Sequence, residues 1–163
     1  MAKIAMSGVC QTGRQPILAA AKRNLLSAAV VLYGAVYDAD WKSHPIRPEP
    51  IDKLMREISC PVAGVFGELD NLIHRDNIVR MFSVLAEAKK SFDIRIYADA
   101  PHGFLNDTMP GRFRPDQAGA AWNQITSFLQ SVFSGRWPKG RAIWRFDANS
   151  SLDYDFTKMK RWE

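Results

Sequence analysis

Short apolar runs alternate along the chain with stretches in which apolar residues recur at helical spacing. Lys3 to Met6 can form a first strand, and Ile17, Leu18, Ala20 and Ala21 predict a helix ending near Asn24. Ala28 to Tyr33 is continuously apolar with β-branched residues at its centre, the pattern of a strand covered on both faces. Ile51, Leu54, Met55 and Ile58 fall at i, i+3, i+4 and i+7, one face of a short helix. Val62 to Gly67 is the next strand. Ile78, Met81, Phe82 and Leu85 repeat the helical spacing, and Asp93 to Tyr97 alternates as a strand. A last helix is expected from about Pro115 to Ser134, with Ala118, Ala121, Trp122, Ile125, Leu129 and Val132 inward and Gly135 closing it. The stretch 34–50, with three prolines, reads as a loop. This order predicts an α/β domain over residues 1–134, with about four parallel strands and flanking helices.

Residues 135–163 form a second segment, basic and aromatic, expected to pack back on the body through Trp144-Arg145-Phe146 and Tyr154-Asp155-Phe156. The formal charge of +5 raises the question of nucleic acid. From Gly135 onward, however, seven Lys or Arg face four acids, while the body is close to balanced. Nucleic acid is therefore not an expected partner. No run approaches the roughly 20 apolar residues of a membrane span, and the opening Met1 to Gly8 is too short and polar for a secretory signal. A cytoplasmic location without a membrane partner is the expectation. Cys10 and Cys60 cannot build a disulfide framework, and no Cys-x-x-Cys or His-x-x-x-His spacing marks a zinc site.

Chemistry-bearing residues cluster just after strands, where open α/β sheets bind ligands. Cys10, in Gly8-Val9-Cys10-Gln11-Thr12-Gly13, stands between a strand and a helix. A nucleophile on such a turn projects from the sheet, and the helix N-terminus favours a thiolate and an oxyanion, with the Gln11 N–H as one oxyanion donor. A buried cysteine among glycines is the plainer reading of the same motif. Asp70 follows the third strand and suits an imidazole-orienting carboxylate, with Glu68 as its rival. His102 follows the fourth strand and suits a general base; His44 and His74 lack a comparable context.

The chain order nucleophile, acid, histidine is that of the α/β-hydrolases. With Gly8-Val9-Cys10-Gln11-Thr12-Gly13-Arg14-Gln15, Leu32-Tyr33-Gly34, Cys60-Pro61-Val62 through Asp70, Tyr97 through Phe104, and Ala120-Ala121-Trp122, the chain resembles the dienelactone hydrolase family over residues 3 to 134. The resemblance implies the C-terminal half of an α/β-hydrolase fold, with Cys10, Asp70 and His102 as nucleophile, acid and base. It implies cleavage of a small-molecule ester or lactone through a thioester, with neither metal nor cofactor. A general esterase or acyl transferase, and a non-catalytic fragment acting in protein association, are the other readings. Thr12 replaces the family's usual glycine, and Pro16 falls early in the following helix. The family's N-terminal strands and second oxyanion donor would lie upstream of the first strand. An unpaired edge is expected there, open to self-association or to an N-terminal half.

Overall fold

Five parallel strands lie side by side in chain order in the computed structural model, which describes residues 3–147. Strand β1 (Ala5–Val9) leads through a 3-10 turn (Cys10–Gly13) into α1 (Arg14–Lys22); then follow β2 (Ala28–Leu32) and a 3-10 turn (Asp38–Trp41). The rest is α2 (Ile51–Glu57), β3 (Val62–Gly67), α3 (Arg75–Glu87), β4 (Phe92–Tyr97), α4 (Pro115–Phe133) and β5 (Ala142–Phe146). The anticipated parallel α/β order is present. The first strand lies further along than Lys3 to Met6, because pairing with β2 aligns Ala5 with Ala28 and Val9 with Leu32. Ser7 and Gly8 join it through backbone bonds that apolar periodicity does not record.

Strand alternation divides the core into two layers. Ala29, Val31, Phe66, Phe92 and Ile94 face the helices α1, α2 and α3. Ala28, Val30, Leu32, Ala63 and Val65 face α4 through Ala121, Ile125 and Phe128. The strands β2 and β3 are buried on both faces, which is why they read as unbroken apolar runs. Tyr97 and Gln124, which enter the second layer, are paired: the Tyr97 hydroxyl donates to Gln124 Oε1 at 2.8 Å, and Gln124 Nε2 donates to Asp93.

Trp122 departs from the expected helix face. It is 51% exposed, whereas Ala121, Ile125 and Phe128 turn inward. The reason is geometric: α4 crosses β2 and β3, and Trp122 reaches past them to the open edge beside β1. There it lines a shallow groove of about 210 Å³ with Ala5, Ser7, Val30, Leu32 and Leu129.

Residues 136–147 pack back on the body. Trp137 meets the Phe128 ring at 4.9 Å, and Trp144 meets Phe82 at 5.0 Å. This stretch also adds β5, which pairs with β4 from Phe92↔Ala142 to Ile96↔Phe146. Every strand steps across the sheet in one direction, yet α4 lies on the face opposite α1 to α3. The crossover into β5 therefore has the opposite hand to the other three. Tyr154 and Phe156 lie outside the described residues.

Candidate active site

Cys10 takes a left-handed backbone conformation, φ +53°, directly after β1. A non-glycine residue held there is strained, and the surroundings explain how it is kept. A side chain at Gly8 would place its Cβ 2.3 Å from the Thr12 carbonyl oxygen, and one at Gly34 would lie 2.2 Å from the Cys10 carbonyl oxygen. Both positions need glycine for close approach. Thr12 closes the turn instead of blocking it. Its hydroxyl donates to the Val9 carbonyl at 2.8 Å and accepts from the Val9 N–H at 2.9 Å. Pro16 sits in the first turn of α1, where its missing N–H costs nothing.

The loops after β3 and β4 bring Asp70 and His102 to the same sheet edge. They are stitched together by backbone bonds, Glu68 N–H to the Tyr97 carbonyl at 2.9 Å and Leu69 N–H to the Ala100 carbonyl at 3.0 Å. Asp70 is buried; its Oδ1 accepts from the N–H groups of Leu72 and Ile73, leaving Oδ2 for His102 Nδ1 at 2.8 Å. His102 Nε2 lies 3.1 Å from Cys10 Sγ. The Tyr33 ring packs edge-on against the imidazole, centroids 5.2 Å apart.

The rival residues are elsewhere. Glu68 Oε2 accepts from the Asp99 N–H at 3.2 Å, while His44 and His74 are exposed. Among the described residues, no group of three or more His, Cys, Asp or Glu side chains is placed to hold a metal ion. No helix there is long and apolar enough to cross a membrane.

The electrostatics follow from the contacts. Burial by itself would push the Cys10 thiol up, but hydrogen bonds from Tyr37, His102 and the Gln11 backbone outweigh it and hold the thiol below its ordinary value. His102 is raised above the usual imidazole value, chiefly by its bond to Asp70 against the opposing effect of burial. Cys60 shows the contrast: buried without such partners, it is pushed up to about 11.

Sequence reasoning missed Tyr37. Its hydroxyl stands 3.5 Å from Cys10 Sγ, and its N–H donates to the buried Asp40 at 3.2 Å. Asp40 pairs with Arg14, at 3.4 Å, and with Arg47, at 2.8 Å. The one local trace of this cluster is an acid three residues after Tyr37 in a proline-rich loop; nothing local joins it to Arg14.

The family model for dienelactone hydrolases matches residues 1–133, ending where α4 ends and before β5 begins. A protein of Escherichia coli O157:H7 named "Putative carboxymethylenebutenolidase" is 29% identical over 128 residues, covering 78% of this chain and 46% of that protein. The chain thus spans about half the length of the curated relatives it matches. A solved structure titled as a putative dienelactone hydrolase, from Klebsiella pneumoniae, superposes with TM-score 0.71 at 25% identity, covering 77% of this chain and 51% of that one. The acylaminoacyl peptidase of Pyrococcus horikoshii shares the fold alone, with TM-score 0.66 at 15% identity over 80% of this chain and 24% of its own. The match of the family model across most of the chain, on a parallel sheet of the same fold, places this protein in the dienelactone hydrolase family.

Proposed function

We propose that the chain carries the reactive half of a thiol-dependent ester or lactone hydrolase. The observation that carries this reading is the unbroken line from Cys10 Sγ through His102 to the buried Asp70, with contacts of 3.1 and 2.8 Å. In it the Cys10 thiolate attacks the carbonyl carbon of a small-molecule ester or lactone, and the carbonyl electron pair moves to oxygen. The Gln11 N–H is one donor to that oxyanion. Collapse breaks the acyl C–O bond, and His102 gives its proton to the leaving oxygen. Water, deprotonated by His102, then attacks the thioester, and release of the acid returns the thiolate. Asp70 keeps the imidazole oriented and stabilises its cation. Nothing in this sequence of steps calls for a metal or cofactor.

In this reading residues 1–134 are the hydrolase half and 135–163 an appended segment, consistent with the opposite hand of the crossover into β5. A cytoplasmic setting would keep both free cysteines reduced. An association role has its own support. Among the described residues strand β1 ends the sheet, Ile4 and Val9 are exposed, and Trp122 lines a groove with Ala5 and Ser7 of that strand. An N-terminal hydrolase half or a second copy of this chain fits such an edge.

The test is to mix the chain with p-nitrophenyl acetate, quench with acid and digest for mass spectrometry. Acetyl found on Cys10, and lost on longer incubation, is the expected result. Nitrophenol release with Cys10 never acetylated would overturn the thioester route.

A further inference from the structure

The sulfur of Cys10 has two side-chain partners among the described residues, the imidazole of His102 and the hydroxyl of Tyr37. Tyr37 is not a loosely placed neighbour. Its N–H is held by Asp40 Oδ2, and the Asp40 N–H returns a bond to the Tyr37 carbonyl at 2.8 Å. Asp40 is in turn paired with Arg14, the first residue of α1 and four beyond Cys10. Arg14 also donates to the Glu49 carbonyl. Close packing of Gly34 on the Cys10 carbonyl locks the start of the same loop to the turn. The loop that carries Tyr37 and the turn that carries Cys10 therefore form one rigid piece.

We propose that Tyr37 is a further catalytic residue of this site, its hydroxyl donating a hydrogen bond to Cys10 Sγ so that the resting sulfur is held as an aimed thiolate, with Asp40 as its positioning residue. This rests on the reading of Cys10 as the nucleophile. A phenol is suited to the task because it stays protonated; burial, followed by the bond to Cys10, raises its own value further. The other groups that bear on the sulfur are the Gln11 N–H, the buried Tyr33 phenol and, behind His102, Asp70. Asp40 and Asp70 act on Tyr37 in the same direction, against its ionisation. The charge of Arg14 is turned to Asp40, so it is Tyr37, not a second cation, that supplements the imidazolium.

The chemistry limits where the effect appears. Once the S–C bond forms, negative charge leaves sulfur for the carbonyl oxygen. The hydroxyl then no longer faces a thiolate. Tyr37 accordingly raises the thiolate fraction near neutral pH and does little for the fully ionised sulfur.

The experiment is the pH dependence of iodoacetamide modification of Cys10 in the full chain, read site by site by mass spectrometry. Tyr37→Phe should move the midpoint to higher pH and slow modification near neutral pH by about tenfold. Its alkaline plateau should equal or slightly exceed the original, since a more basic thiolate is the better nucleophile. Asp40→Asn should shift the midpoint in the same sense but less, and the double variant should match Tyr37→Phe alone. A Tyr37→Phe profile superimposable on the original, or a lowered plateau at an unchanged midpoint, would overturn the role given to Tyr37 while leaving Cys10 as nucleophile. A Cys10 inert at every pH would remove both readings. If circular dichroism shows Asp40→Asn unfolded, the Tyr37→Phe profile decides by itself.

Discussion

Nε2 of His102 stands 3.1 Å from Sγ of Cys10, across 92 positions of the chain. The strain at Cys10, the bonds of Thr12 and the stitched loops of Asp70 and His102 all serve that contact. It joins a thiol held low to an imidazole held high, the arrangement in which a proton passes most readily from sulfur to nitrogen.

The two cysteines should react at very different rates. Cys10 is half-buried beside three hydrogen-bond donors, whereas Cys60 is buried and its thiol is pushed up to about 11. Brief iodoacetamide treatment of the folded protein should modify Cys10 at least about tenfold faster. Peptide mapping checks this, and preferential labelling of Cys60 would contradict the site.

The raised His102 gives stability a pH dependence of defined sign. A basic group whose folded value exceeds its unfolded one contributes stability that is complete below the ordinary imidazole value of 6.5 and is lost as pH rises through the folded value. In Cys10→Ala the His102–Asp70 bond remains and the thiol no longer titrates. Its melting temperature should therefore decline as pH rises from 6.5. The decline should be absent in Cys10→Ala/His102→Gln, as differential scanning calorimetry would report.

Loss of any member of the proposed Cys10–His102–Asp70 unit should be severe and non-additive. Cys10→Ala and His102→Ala are expected to lower p-nitrophenyl acetate turnover by about 10³-fold or more, and Asp70→Asn by somewhat less. Glu68→Gln and His74→Ala should change it by less than about tenfold, since Glu68 holds the Asp99 N–H and His74 is exposed. If His102→Ala retains full turnover, the mechanism is wrong.

The turn beneath Cys10 should not tolerate a methyl group. In Gly8→Ala the new Cβ would lie 2.3 Å from the Thr12 carbonyl oxygen and 2.7 Å from Pro16 Cδ. Overpacking of this kind costs about 1–3 kcal/mol. Urea unfolding should show a lowered midpoint, and Cys10 labelling should slow as the turn shifts.

The free edge of β1 predicts association. Light scattering should find dimers or larger species at micromolar concentration. Ile4→Lys combined with Trp122→Ser should shift them toward monomer, by placing a charge beside the edge and removing the exposed indole. A clean monomer in the unaltered chain would contradict this.

The sequence by itself determined what depends on neighbours along the chain. Apolar runs and helical spacing located β2, β3, α2 and α3, because a strand covered on both faces or a helix with one buried stripe writes its period locally. Turn chemistry placed Cys10, Asp70 and His102 each just past a strand, and parallel pairing then brings strand ends to one edge. Other features only the tertiary structure decided. Trp122 shares the apolar period of α4, but which residues α4 buries depends on where it crosses β2 and β3. Strand β5 has a weak, partly exposed pattern and exists because β4 offers it an edge. Thr12 reads as an obstacle until its hydroxyl is found bonded to both backbone groups of Val9. Tyr37 and Asp40 share one loop, but Arg14 and Cys10 come from another segment, and the Tyr37 hydroxyl acquires meaning only when folding sets it against Cys10 and pairs Asp40 with Arg14.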